Sequence, residues 1–113
     1  MATRIIPLTI TLAANDAQIA MTGGPLSPPS GIKWTVVELR VAMGDLGYIQ
    51  FYFDSELYHT VYQSQVDQYG KPETLALDII QPHQYRILAT DLGGVGQDVV
   101  VQVVVEESPQ SGA

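Results

Sequence analysis

The sequence predicts an all-β domain, an antiparallel two-sheet β-sandwich of about eight strands with jelly-roll character. Three observations predict it. Apolar residues alternate with period two through segment after segment, turn-forming residues recur about every eight to twelve positions, and no window sustains an apolar stripe of helical period. With 113 residues, 46% of them hydrophobic, the chain supports one core and reads as a single domain over residues 1–113.

Arg4–Leu12 is the first strand, with Ile6, Leu8, Ile10 and Leu12 on one face. Pro7 has no N–H to give a ladder, so residues 1–12 suit an edge strand or an N-terminal arm reaching another chain, with Ile5, Ile6 and Leu8 as its contacts. Asn15-Asp16 turns into a short strand, Ala17–Met21, before a Pro/Gly loop, TGGPLSPPSG, at Thr22–Gly31. Lys33–Met43 is a long strand whose apolar residues fall on both parities: Trp34 and Val36 on one, Val37, Leu39, Val41 and Met43 on the other. A β-bulge near Val36-Val37 would bring both sets inward.

Tyr48–Phe53 follows, with Ile49, Phe51 and Phe53 inward, then Leu57–Gln63. Ser64–Lys71 is polar and long enough for one helical turn. Thr74–Ile80 resumes the strand pattern through Leu75, Leu77 and Ile79, and Tyr85–Thr90 is the next strand. After the glycine loop DLGGVGQ the final strand, Asp98–Glu106, is apolar on both parities. Val99, Val101, Val103 and Val105 face one way and Val100 and Val104 the other, so the second pair predicts a covering layer or a subunit interface. Ser108–Ala113 has the composition of a loose tail. The expected core is Trp34, Leu39, Val41, Phe51, Phe53, Leu77, Ile87, Val101 and Val103.

Charge narrows the function classes. The net charge is −7 with five Lys and Arg, too few and too scattered to displace counterions from nucleic acid or to hold an anionic membrane. No apolar run is long enough to span a bilayer, and the start, broken by Pro7 and two threonines, is a poor signal peptide; the expected place of synthesis is a host cytoplasm. Only 15% of residues are charged, against about 25% in ordinary soluble chains, and ten glutamines with Thr, Gly and Tyr fill the polar positions. Cover by other chains accounts for such a surface, and so does the ordinary β-sheet preference for Thr and Tyr.

No catalytic, metal or cofactor motif is present. His59 and His83 stand apart from any ligand pattern, Asp54 and Glu56 read as a charged hairpin tip rather than a calcium loop, and the GGVG run at Gly93–Gly96 lacks the helix and lysine of a phosphate loop. Aromatic residues are the remaining constellation. Tyr52, Tyr58 and Tyr62 share a parity on two strands that pair if they form a hairpin, giving an outward cluster suited to stacking on sugars, to anchoring a protein, or to stabilising the sheet alone.

The order of landmarks, PPSGIKWTVVELRVAM, then YIQFYFD, LALDIIQPHQYRILATD and GGVGQDVVVQVVVEE, resembles the small β-sandwich decoration (cement) and accessory proteins of tailed-bacteriophage virions. The resemblance spans about residues 28–107 and carries no catalytic residues. It implies a non-enzymatic virion protein that stabilises a capsid or tail through protein contacts. Its partners would be copies of itself, a trimer for example, and a major capsid or other virion protein. The rival expectation is a carbohydrate-binding sandwich for host recognition, using the exposed tyrosines with Trp34.

Overall fold

A computed structural model describes residues 2–62 and 71–109. Among these, eight strands form two antiparallel four-stranded sheets and there is no helix. The strands are β1 (Ala2–Leu12), β2 (Ile19–Ala20), β3 (Ile32–Met43), β4 (Gly47–Phe53), β5 (Glu56–Tyr62), β6 (Lys71–Ile79), β7 (Tyr85–Asp91) and β8 (Gln97–Pro109). One sheet has the order β1-β8-β3-β6 and the other β2-β7-β4-β5. Only the β4–β5 connection stays within a sheet; every other one crosses between the two. That alternation gives the strand order of a jelly roll. The helical turn expected over Ser64–Lys71 lies outside the described residues except for Lys71, which begins β6.

The inward faces meet in one core. Trp34, Val36, Leu39, Val41, Ile49, Phe51, Ile79, Tyr85, Ile87, Val99, Val101 and Val103 are all buried in it. Of the core residues expected from sequence, Phe53 and Leu77 lie at its margin, partly buried against it, and the rest are inside.

The bulge in β3 is present. The register of β3 shifts between Val36 and Glu38 on both sides: against β8 Val37 is the extra residue, whereas against β6 the extra residue is on β6, where Leu75 and Ala76 stand opposite Val37. Before it Trp34 and Val36 point in; after it Leu39, Val41 and Met43 do. A second shift lies between β4 and β5, where Tyr58 has no place in the ladder between Leu57 and His59.

The first strand is an edge strand and not a projecting arm. β1 pairs along its whole length with β8, from Ala2 opposite Glu107 to Leu12 opposite Gln97. Ile6 and Leu8, expected as arm contacts, are buried in the chain's own core; only Ile5 of the three is exposed. The alternation that suggested an arm is the inward face of an ordinary strand, with Pro7 pointing out. At the other terminus Ser108 and Pro109, expected in a loose tail, extend β8 opposite Lys33 and Ile32; the rest of that expected tail lies outside the described residues.

The end of the sandwich where β1 starts and β8 finishes is closed by Trp34. Its indole N–H donates to Glu107 at 2.9 Å, and the Arg4 guanidinium sits 5.5 Å from the ring centroid while also donating to Glu107 at 3.2 Å. The Pro/Gly loop folds back at the same end: the Tyr85 hydroxyl donates to the Pro25 carbonyl at 2.9 Å and the Ser27 hydroxyl to the His83 carbonyl at 2.8 Å.

Because Leu39 is fully buried on an inner strand with a ladder on each side, Leu39→Ala is expected to lower unfolding free energy by about 2–5 kcal/mol. Val100→Thr, on the outer face, should change it by less than about 1 kcal/mol. Urea denaturation of the two variants checks this ranking, and equal losses would contradict it.

Candidate functional site

Three connections gather at the end opposite Trp34: β1–β2 (residues 13–18), β3–β4 (residues 44–46) and β7–β8 (residues 92–96). They are fastened by one carboxylate. Asp91 is 3% exposed and accepts four hydrogen bonds. Oδ2 takes the N–H groups of Asn15 (3.0 Å) and Gly96 (3.1 Å), and Oδ1 takes the N–H of Gly93 (3.1 Å) and the Gln97 side-chain amide (3.0 Å). The Gln97 amide also donates to the Leu46 carbonyl at 2.9 Å, and its oxygen accepts from the Asp45 N–H at 3.0 Å. Leu92 and Gly93 donate their N–H groups to the same Leu46 carbonyl.

Gly96 explains why this loop needs glycine. Its φ is +79°, and a Cβ there would lie 2.7 Å from the Leu12 carbonyl oxygen. The GGVG run is therefore a tight bend over the β1 terminus.

What the pinned loops present is apolar. Leu46 and Leu92 are each 57% exposed and Val95 is 74% exposed. Asp16, Asp45 and Asp98 stand in the same loops or at the start of β8, and no described Lys or Arg side chain lies among them. The result is an apolar tip with an acidic surround, held by a network that leaves its backbone little freedom. Asp91 is not among the candidate site residues read from the sequence. The signal for Asp91 was there, in an Asp heading a glycine loop, where its acceptor oxygens meet successive N–H groups.

The second surface is the outer face of the β2-β7-β4-β5 sheet. Pairing sets its rows: Thr90, Tyr48 and Tyr62; then Ala20, Leu88, Gln50 and Thr60; then Arg86, Tyr52 and Leu57. Tyr48 and Tyr62 are in ring contact at 5.4 Å, Arg86 lies 5.5 Å from the Tyr52 ring centroid, and Gln18 reaches over Thr90 to donate to Gln50 at 3.2 Å. Of the tyrosines expected to cluster, Tyr52 and Tyr62 share this face at opposite ends, and Tyr48 joins Tyr62. Tyr58 leaves it. Its bulge turns the ring edge-on to Phe51 at 6.1 Å, with its hydroxyl on the Ala76 carbonyl of β6 at 3.4 Å. Trp34, the other expected sugar contact, is fully buried.

The remaining expected interface residues divide. Val100 is 39% exposed on the outer face of the β1-β8-β3-β6 sheet, but Val104 is only 5% exposed. Val104 is flanked by Ile5 on β1 and by Glu38 on β3, whose carboxylate is held by Arg40 at 2.8 Å. Its cover comes from its own sheet, so it offers no free surface.

Among the described residues no group of three or more His, Asp or Glu side chains comes together to hold a metal. Asp54 accepts from the Gln84 N–H at 3.1 Å and is 2.7 Å from His83 Nδ1, which makes it a staple between two turns. Comparison with protein-family models gave no match, and a search of curated proteins found no significant relative.

Among the described residues, three carboxyls lie below their ordinary range. The Asn15 N–H is the largest cause at Asp91, followed among the favourable ones by the Gln97 amide, Gly96 and Gly93, with burial pulling the other way. At Asp54 the main cause is the Gln84 N–H, and at Glu107 the Trp34 indole. A carboxyl depressed in the folded state stabilises it fully above the unfolded-state pKa, and that contribution is lost as pH falls through the folded value. Thermal midpoints should therefore hold near neutrality and fall below about pH 4. Asp91→Asn offers one acceptor oxygen where two are used and turns an NH₂ toward N–H donors. It should melt well below the parent at neutral pH and depend less on acid. A parent-like midpoint for this variant would show that the tip does not hang on Asp91.

Proposed function

We propose that this chain is a non-enzymatic structural protein of a bacteriophage virion, a cement or accessory subunit that stabilises a capsid or tail through protein contacts. The observation that carries the reading is the apolar tip. A small domain that displays Leu46, Leu92 and Val95 on pinned loops holds ready an anchor whose ordering cost is already met. Each such side chain, when desolvated in a partner's pocket, contributes about 1.5–3 kcal/mol. The acidic surround matches an apolar socket with a basic rim on another virion protein. The low charged fraction, 15%, and the resemblance over residues 28–107 point the same way. Jelly rolls serve viral capsids and lectins alike, so the architecture is compatible with the proposal without deciding it.

The test is proteomic. In density-gradient-purified particles from a phage whose genome carries this gene, the chain should be present at stoichiometric copy number. The doubly substituted Leu92→Ser, Val95→Ser protein should fold yet be lost from particles or bound at least tenfold more weakly. Absence of the unsubstituted chain from purified particles would reject the proposal.

A further inference from the structure

We propose that the outer face of the β2-β7-β4-β5 sheet binds a neutral polysaccharide, lying flat across Tyr52, Gln50 and the Tyr48–Tyr62 pair. This goes beyond the virion reading and rests on a different surface.

The first argument is composition. The chain carries 12 Asp and Glu, yet none of them lies in the three rows of this face among the described residues. Its one charged side chain there, Arg86, is engaged over the Tyr52 ring. What remains is three tyrosines, Gln50 with Gln18 reaching over to it, two threonines of which Thr90 is buried, and the apolar Ala20, Leu88 and Leu57. A face depleted of charge inside an acidic protein suits an uncharged ligand. Ring faces accept the C–H-rich side of a pyranose, and amides and hydroxyls pair with its hydroxyls.

The second argument is spacing. Tyr48 and Tyr52 are four residues apart on one strand, which places aromatic groups about 13 Å from each other along it. Gln50 lies midway on the same strand, with Gln18 donating to its side-chain oxygen and Thr60 paired opposite it. Aromatic rings at both ends, Tyr52 with Arg86 over one of its faces, and hydrogen-bonding groups between them match a chain of linked sugars better than a single one.

The third argument is area. Four strands span about 14 Å, so the rows cover roughly 200 Å². A stable protein interface needs about 800 Å² per partner, so a second copy seated here would be held weakly. No pocket opens on this face among the described residues, whereas drug-sized ligands need concave sites that enclose them. An extended polymer, which gains affinity by running across a surface, fits both limits.

Affinity electrophoresis of the full chain in native gels tests this, with soluble β-glucan, dextran, galactomannan and polygalacturonate as separate probes. Retardation by at least one of the three neutral polymers is expected. Tyr52→Ala and Tyr62→Ala should each weaken it by about tenfold, the usual loss of one stacking ring. Leu92→Ser at the distant tip should leave it unchanged, and thermal melting shows whether each variant folds. No retardation by any neutral polymer overturns the proposal, as does retardation by polygalacturonate alone or retardation that survives both tyrosine substitutions. The virion proposal stands or falls on particle composition, so either can fail without the other.

Discussion

Trp34 and Val36 share the interior with Leu39, Val41 and Met43 because Val37 is an extra residue of β3 against β8. Without it, a strict period of two would send either Trp34 and Val36 or Leu39, Val41 and Met43 to the solvent face. β3 pairs on both sides, so the consequence spreads. The ladder with β8 steps past Val37, and the ladder with β6 steps at the same place in the opposite sense, with its extra residue on β6. Trp34 can then close one end of the core while Met43 delivers the chain to the loops of the other. At about 1.5–3 kcal/mol for each large apolar side chain, losing either set would cost most of a small domain's net stability.

Parity was the legible part of this sequence. It located the strands, the bulge and nearly all of the core, because burial on one face of a strand leaves a direct trace in residue order. What parity could not report is what happens beside a residue in a neighbouring strand. Val104 looked like an interface residue from the pattern DVVVQVVVE, but Ile5 and Glu38, far away in sequence, cover it. Tyr58 shares its parity with Tyr52 and Tyr62 and still leaves their face, because the β4–β5 pairing slips between them. Ile6 and Leu8 gave the same signal for an arm as for an edge strand, and only the pairing partner separates those outcomes.

The surfaces were less legible than the core. Leu46, Leu92 and Val95 lie in three-residue and five-residue connections too short for periodicity to mean anything. They come together through Asp91 and Gln97, whose partners lie on several different elements. Fixed loops on a jelly roll are where such a fold varies while its sheets stay constant, since backbone hydrogen bonds in the sheets leave few substitutions that do not unsettle a ladder. The tip and the tyrosine face also differ in kind: one protrudes and is apolar, the other is polar and aromatic, and nothing requires them to serve the same partner.

The position of β8 between β1 and β3 has a bearing on how the chain comes into being on a ribosome. β1 emerges first, and its ladder partner is the last strand made. β3 likewise has one side open until residues 97–109 are free. Until β8 is available the two strands therefore expose unsatisfied edges. This half of the sandwich closes by insertion of one valine-rich strand between two that precede it by many residues, a pairing of high sequence separation.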